Sequence, residues 1–159
     1  MTIRVQREDF DVGTELDRLV AGDRGIGGLT SFVGLVRDMV SDAGADAAVS
    51  AMTLEHYPGM TEKLLGEIEA EARARWPLQA TLIIHRYGRL EPGDRIVLVA
   101  AASAHRDAAF DACRFLIDWL KTKAPFWKLE ETPDGTGHWV DARSSDDEAA
   151  ARWGPPGKE

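Results

Sequence analysis

Apolar positions recur every second residue in some stretches of the chain and about every fourth in others, and the change of period marks the elements. Residues 3–6, IRVQ, predict a short strand. In GTELDRLVA, residues 13–21, Leu16, Leu19 and Val20 fall on one face, which predicts a short helix. The β-branched, alternating run GGLTSFVGLVRDMV, residues 27–40, predicts a strand whose glycines mark bends or close backbone approach. SDAGADAA, residues 41–48, has the composition of a mobile loop, and VSAMTLEHY, residues 49–57, predicts the next strand.

From Pro58 to Trp76 the period becomes helical. Met60, Leu64, Ile68 and Ala72 recur every four residues, Pro58 suits a first turn, and Pro77 ends the helix. ATLIIHRYGRL, EPGD and RIVLVAAAS, residues 80–103, predict a strand, a tight connection and a second strand. Ser103 is placed to cap a long helix reaching about Lys123. PFWKLEET, PDGTG and HWVDA then predict a second hairpin, with RSSDDEAAARWGPPGKE as a loosely held, charged tail. In that tail only Trp153 invites docking on the body or on a partner. Two hairpins among interleaved helices favour an α+β fold over a doubly wound parallel sheet.

Composition narrows the function more than the fold. The 159 residues suit one domain with a real core, and 44% hydrophobic content is ordinary for a globular protein. No apolar run approaches the ~20 residues of a membrane span, and charges in MTIRVQREDF leave no sign of export. The single cysteine, Cys113, precludes an internal disulfide and fits a reducing cytoplasm. A formal charge of −8 argues against broad nucleic-acid binding, yet a local basic pocket inside an acidic shell would suit a small anion.

Candidate chemistry follows from that idea. Cys113 shares a helical face with Ala109, Leu116 and Leu120, which makes it a small core residue rather than a nucleophile. His56, His85, His105 and His138 lack paired ligand spacing, so no metal site is expected, and His56 and His85 read as packed or rim residues of strands. SAHRDAAF puts His105 and Arg106 in a first helical turn, where free N–H groups and a guanidinium can hold phosphate oxygens. The blander role for Arg106 is pairing with Asp107 or Asp111. Arg37 ends an apolar strand and would complete such a pocket only if the fold brings it there.

DWLKTKAPFWKLEE, residues 118–131, carries three lysines among aromatic residues. Pro125 splits it, so Lys121 belongs to a last helical turn and Lys128 to a following strand. Lysines at a helix C-terminus favour the dipole by ~0.3–1 kcal/mol each, which is role enough for Lys123. Lys128, between Trp127 and Leu129, sits in an apolar run, and apolar surroundings tune a lysine for base or nucleophile chemistry. Spacing alone leans to the structural role for the pair.

Five strings change that balance. SFVGLVRD, MTLEHYPGMTEK, IIHRYGRLEPGD, SAHRDAAF and LKTKAPFWKLE resemble, in this order from about Ile3 to Ala142, the large, catalytic subunit family of molybdopterin synthase. The resemblance implies an α/β hammerhead-like fold with an additional antiparallel sheet, a single catalytic domain over residues 1–142 and a flexible acidic tail over 143–159. It implies a cytoplasmic sulfurtransferase that converts cyclic pyranopterin monophosphate to molybdopterin in molybdenum cofactor biosynthesis. The two sulfurs come from the C-terminal Gly-Gly thiocarboxylate of a small ubiquitin-like carrier subunit, and a homodimer forms the core of a heterotetramer. No metal, further cofactor, nucleic acid or membrane is implied. Carried over by motif, Lys121 and Lys128 are catalytic. Leu35, Val36, Arg37, His105, Arg106, Leu129 and Glu130 bind substrate with them, Leu35 and Leu129 standing where relatives often carry a basic residue. The alternative is a phosphate-ligand or partner-binding module of the same fold without turnover.

Overall fold

The computed structural model describes residues 3–38, 50–133, 135–140 and 144–155. In chain order the elements are β1 (Ile3–Gln6), α1 (Val12–Val20), β2 (Gly28–Leu35), β3 (Ala51–His56), α2 (Met60–Arg75) and β4 (Ala80–Arg86). After these come β5 (Gly88–Leu90), β6 (Arg95–Ser103), α3 (Arg106–Lys123), β7 (Phe126–Glu131), β8 (Gly137–Val140) and α4 (Ser144–Ala151). The strands form two four-stranded sheets, ordered β1-β4-β6-β2 and β5-β3-β7-β8. The second is wholly antiparallel, as the α+β reading requires, whereas the first contains one parallel pair, β1 with β4.

Alternation along β4 and β6 divides the first sheet between two cores. Ile83, Val97 and Val99 face α2 and α3, where they meet Leu65, Ile68, Phe115 and Leu116. Leu82, Ile84, Leu98 and Ala100 face the opposite way, onto Phe10 and the apolar stripe of α1. Burying side chains of this size stabilises by about 1.5–3 kcal/mol each. Cys113 belongs to the first core, near Val99, and burial pushes its thiol up to about 12, so it is inert as the helical periodicity predicted.

Several expectations shift. The strand expected over 27–40 ends at Leu35, where a bulge breaks its register with β6; residues 39–49, including the loop expected at 41–48, lie outside the described residues. Pro58 precedes α2 instead of entering its first turn. Gly59, in the left-handed region at φ 82°, makes the entry, and its N–H donates to Glu62 at 2.7 Å. The buried stripe of α2 runs through Thr61, Leu65, Ile68 and Ala72, leaving Met60 exposed, because Thr61 is tied back to the Tyr57 carbonyl at 2.9 Å. The single strand expected over 80–90 is two, broken at Tyr87. Gly88, at φ 89°, passes the chain from one sheet to the other. Ser103 does not cap α3: it closes β6, and its hydroxyl donates to the Pro77 carbonyl at 2.8 Å, leaving His105 as the N-cap.

The tail differs most. Residues 144–155 form α4 and a following turn packed on α3. Trp153 sets its ring edge-on to Trp76 and Phe115, and its indole N–H donates to Asp118 at 2.8 Å. Arg75 closes the arrangement by donating to the Trp153 carbonyl at 2.5 Å. Small and charged residues give α4 little apolar face of its own, and its anchor lies beyond the helix.

Candidate active site

Where the end of β2 meets the second sheet, a cavity of about 550 Å³ opens. Its walls are Phe32–Arg37 from the β2 end, Met52 and Leu54 from β3, Lys128 and Glu130 from β7, and Ile117, Leu120 and Lys121 from the last turns of α3. His85, Ile96, Val97, Ala124, Phe126 and Val140 contribute, and Ser145 and Asp146 of α4 complete the lining.

Local chemistry around Pro125 brings the two lysines together. Ahead of the proline, Ala124 is held extended at φ −80°, ψ 136°, which stops α3. The Phe126 N–H then donates to the Ala124 carbonyl at 2.9 Å, so the chain enters β7 within two residues. Lys121 in the last helical turn and Lys128 on β7 thereby reach one cavity. Strand alternation directs Lys128 and Glu130 to the same face of the sheet, opposite Leu54 and Met52 across the β3 pairing. Trp127 and Leu129, the neighbours that gave Lys128 its apolar setting in the sequence, take the other face; Trp127 is exposed and Leu129 lies against Gly137. The surroundings of Lys128 are instead Leu54, Met52 and a carboxylate. Its Nζ lies 3.7 Å from Oε1 of Glu130, whose side chain is only 1% exposed.

The remaining candidates divide. Leu35 stands at the rim, 53% exposed, and Arg37 beside it is exposed too. Between them Val36 turns inward, its N–H donating to Asp94 and its carbonyl accepting from Gly93 at 2.9 and 2.8 Å; only its side chain is left for the cavity. Leu129 does not line the cavity, and neither do His105 and Arg106. Fifteen residues of straight helix separate Arg106 from Lys121, about 22 Å at the α-helical rise. The chain thus gathers Arg37, Lys121 and Lys128 with Glu130 and leaves the SAHR turn at the far end of α3.

Two contributions escaped the sequence. The composition of α4 is that of a tail, which gives no sign of Ser145 and Asp146 in the wall. The sequence makes His85 a packed or rim residue of a strand, and it is both packed and part of the cavity wall. Its ring stacks on Phe126 with centroids 3.7 Å apart and planes 16° apart, and Nδ1 donates to the Arg86 carbonyl at 2.8 Å. Burial, partly opposed by that bond and reinforced by Lys121 and His56, pushes the imidazole down to about 4. The available signal was its position near the end of an apolar strand, two residues before Tyr87 and the break at Tyr87–Gly88. A cavity carrying three cations and a buried carboxylate, with a neutral imidazole in its wall, can hold an anion and move protons beside it.

Comparison with known proteins agrees on one family. Residues 5–123 match the family model described as MoaE protein. The molybdopterin synthase catalytic subunit of Pseudomonas aeruginosa is 58% identical over 153 residues, 96% of this chain and 99% of that protein. A molybdopterin biosynthesis MoaE protein from Burkholderia ambifaria superposes with a TM-score of 0.81 at 55% identity, covering 97% of this chain and 98% of the other. The fold extends to a complex of subunits 1 and 2 of the molybdopterin-converting factor from Helicobacter pylori, at TM-score 0.72 and 18% identity over 91% and 93% of the two chains. With three quarters of its length inside the family match and close relatives spanning nearly all of it, the chain belongs to the MoaE protein family.

Proposed function

We propose that the protein is the catalytic subunit of a molybdopterin synthase, a sulfurtransferase acting on cyclic pyranopterin monophosphate. The observation that carries this reading is the convergence of Lys121 and Lys128 on one cavity, with Arg37 at its rim. The relatives' name, catalytic subunit, speaks for a second subunit, and the Helicobacter relative is a complex of two. Since Cys113 is sealed in the core, sulfur must arrive on another molecule. The thin thiocarboxylate tail of a ubiquitin-like carrier fits a cavity of this size.

In each half-reaction the carrier sulfur forms a C–S bond to a side-chain carbon of the pterin as a C–O bond there breaks. Oxygen leaves as water in one transfer and as the phosphate ester oxygen in the other, and water then cleaves the acyl–sulfur link to release the carrier carboxylate. The second transfer accompanies opening of the cyclic phosphate. Lys121 moves the protons, and Lys128, steadied by Glu130, orients the substrate and stabilises developing negative charge.

His105 and Arg106 enter this reading through a second copy. Among the described residues β2 pairs only with β6, so its other edge is open, and Leu29, Phe32 and Leu35 are exposed on it. Antiparallel pairing of two β2 edges about a two-fold axis would set the Gly28 end of one copy beside the Leu35 end of the other. Arg106, packed against Gly28, would then reach the partner's cavity and supply a phosphate ligand. The decisive experiment mixes the purified protein with a thiocarboxylated carrier and the cyclic pterin. Formation of the dithiolene product is expected; binding of both without product would leave a binding module.

A further inference from the structure

We propose that His85 is a further substrate-binding residue of this cavity, its Nε2 accepting a hydrogen bond from an N–H on the ring edge of a reduced pterin. The inference rests on the synthase reading for its ligand and on the geometry of one imidazole for its chemistry. Donation from Nδ1 to the Arg86 carbonyl fixes the tautomer, so the ring's remaining nitrogen is a bare acceptor. Stacking on Phe126 fixes the ring plane. Among the described residues the one hydrogen bond of the His85 ring is that of Nδ1, and the residue, only 5% exposed, forms part of the cavity wall. An acceptor so placed is held ready for a donor that the protein does not itself supply.

Its neighbours explain why the acceptor remains one. Lys121 on α3 and His56 on β3 act on the ring, and Lys128 and Glu130 on β7 line the same cavity. Burial is what most disfavours a positive charge on the imidazole, and Lys121 and His56 disfavour it further. The cavity therefore offers two kinds of contact: ammonium and guanidinium groups for a phosphate, and one neutral acceptor for a ring N–H. The cations cannot take that second part, because they have no acceptor.

The test compares two ligands on three proteins: wild type, His85→Phe, which keeps the stacking and removes the nitrogens, and His85→Gln, whose amide oxygen replaces the acceptor. For the cyclic pterin phosphate, His85→Phe should raise Kd by roughly tenfold to a hundredfold, the cost of stranding one buried donor, and His85→Gln should recover part of it. Inhibition by inorganic phosphate, which needs only the cations, should be the same in all three. Wild-type affinity for the pterin in His85→Phe, or parallel weakening of both ligands, overturns the proposal. A wild-type protein that ignores the pterin phosphate defeats the synthase reading instead. Nitrogen-15 NMR of histidine in the free wild-type protein gives a check independent of any variant's folding: Nε2 should be unprotonated from pH 5 to 8, and a proton there would overturn the acceptor role.

Discussion

β2 and α3 start together and finish together, and their two ends have opposite characters. At the start, Gly28 lies against Arg106, close enough that a Cβ on the glycine would meet the Arg106 Cα at 3.2 Å, and His105 and Arg106 are exposed. At the finish, Leu35 and Lys121 share a cavity with Lys128, Glu130 and His85, and Ser145 and Asp146 of α4 join its lining. One chain thus completes one cationic site and presents the other unfinished. The same two elements carry both, so the difference comes from what packs on them. The second sheet and α4 line the finish, whereas at the start, among the described residues, β2 pairs only with β6.

Removing the amine from the completed end should have the largest effect. Lys121→Ala is expected to lower turnover by about 10²–10⁴-fold while changing stability by less than about 0.5 kcal/mol, since the side chain is exposed. Lys123→Ala is the matched control, because Lys123 lies over the Trp119 ring, outside the cavity lining. Product formation by the two variants, each with the carrier and cyclic pterin, would measure the contrast. Equal rates would erase the distinction between the completed end and an ordinary helix terminus.

Mixing variants asks whether the unfinished end serves a second copy. Arg106→Ala and Lys121→Ala should each be nearly inactive alone. Combined after subunit exchange they should recover about a quarter of wild-type activity, since half of randomly paired dimers would hold one intact site of two. No recovery, with exchange verified by mass, would confine Arg106 to its own chain.

The completed end also shows what a sequence can disclose. Pro125 announced that Lys121 and Lys128 lie on different elements, and alternation through FWKLEE set Lys128 and Glu130 on one face. Neither signal said that the faces meet, because that depends on the chain crossing from one sheet to the other at Gly88, a left-handed turn within what reads as one strand. Family resemblance supplied the pairing that spacing withheld. α4 was illegible for another reason: its own hydrophobic stripe is weak, and it is held by Trp153, two residues past its end, and by Arg75 from α2.

Trp153 therefore tests how far the α4 part of the cavity wall depends on a remote anchor. Trp153→Ala removes two edge-on ring contacts and the indole bond to Asp118, and should cost about 2–4 kcal/mol in thermal or urea unfolding. At a temperature where the variant remains folded, turnover should stay within a few-fold of wild type. A collapse matching that of Lys121→Ala would mean that α4, through Ser145 or Asp146, contributes to the chemistry as well as to the wall.

The smallest effect concerns the brace beneath the rim. Arg95, the β6 partner of Leu35, donates to both carboxylate oxygens of Asp9 at 3.0 and 2.6 Å, holding that carboxyl at about 2 against an ordinary 3.8. A lowered folded-state value means that the unfolded chain binds the proton first. The contribution to stability is therefore complete above about pH 4 and disappears as pH falls through about 2. The pair is half exposed, so water and salt screen it to less than about 1 kcal/mol. Asp9→Asn should be slightly less stable than wild type in urea at pH 7, converge with it near pH 2, and approach it at pH 7 as salt is raised. A difference that persisted at pH 2 would show that Asp9 braces the cavity end through packing rather than charge.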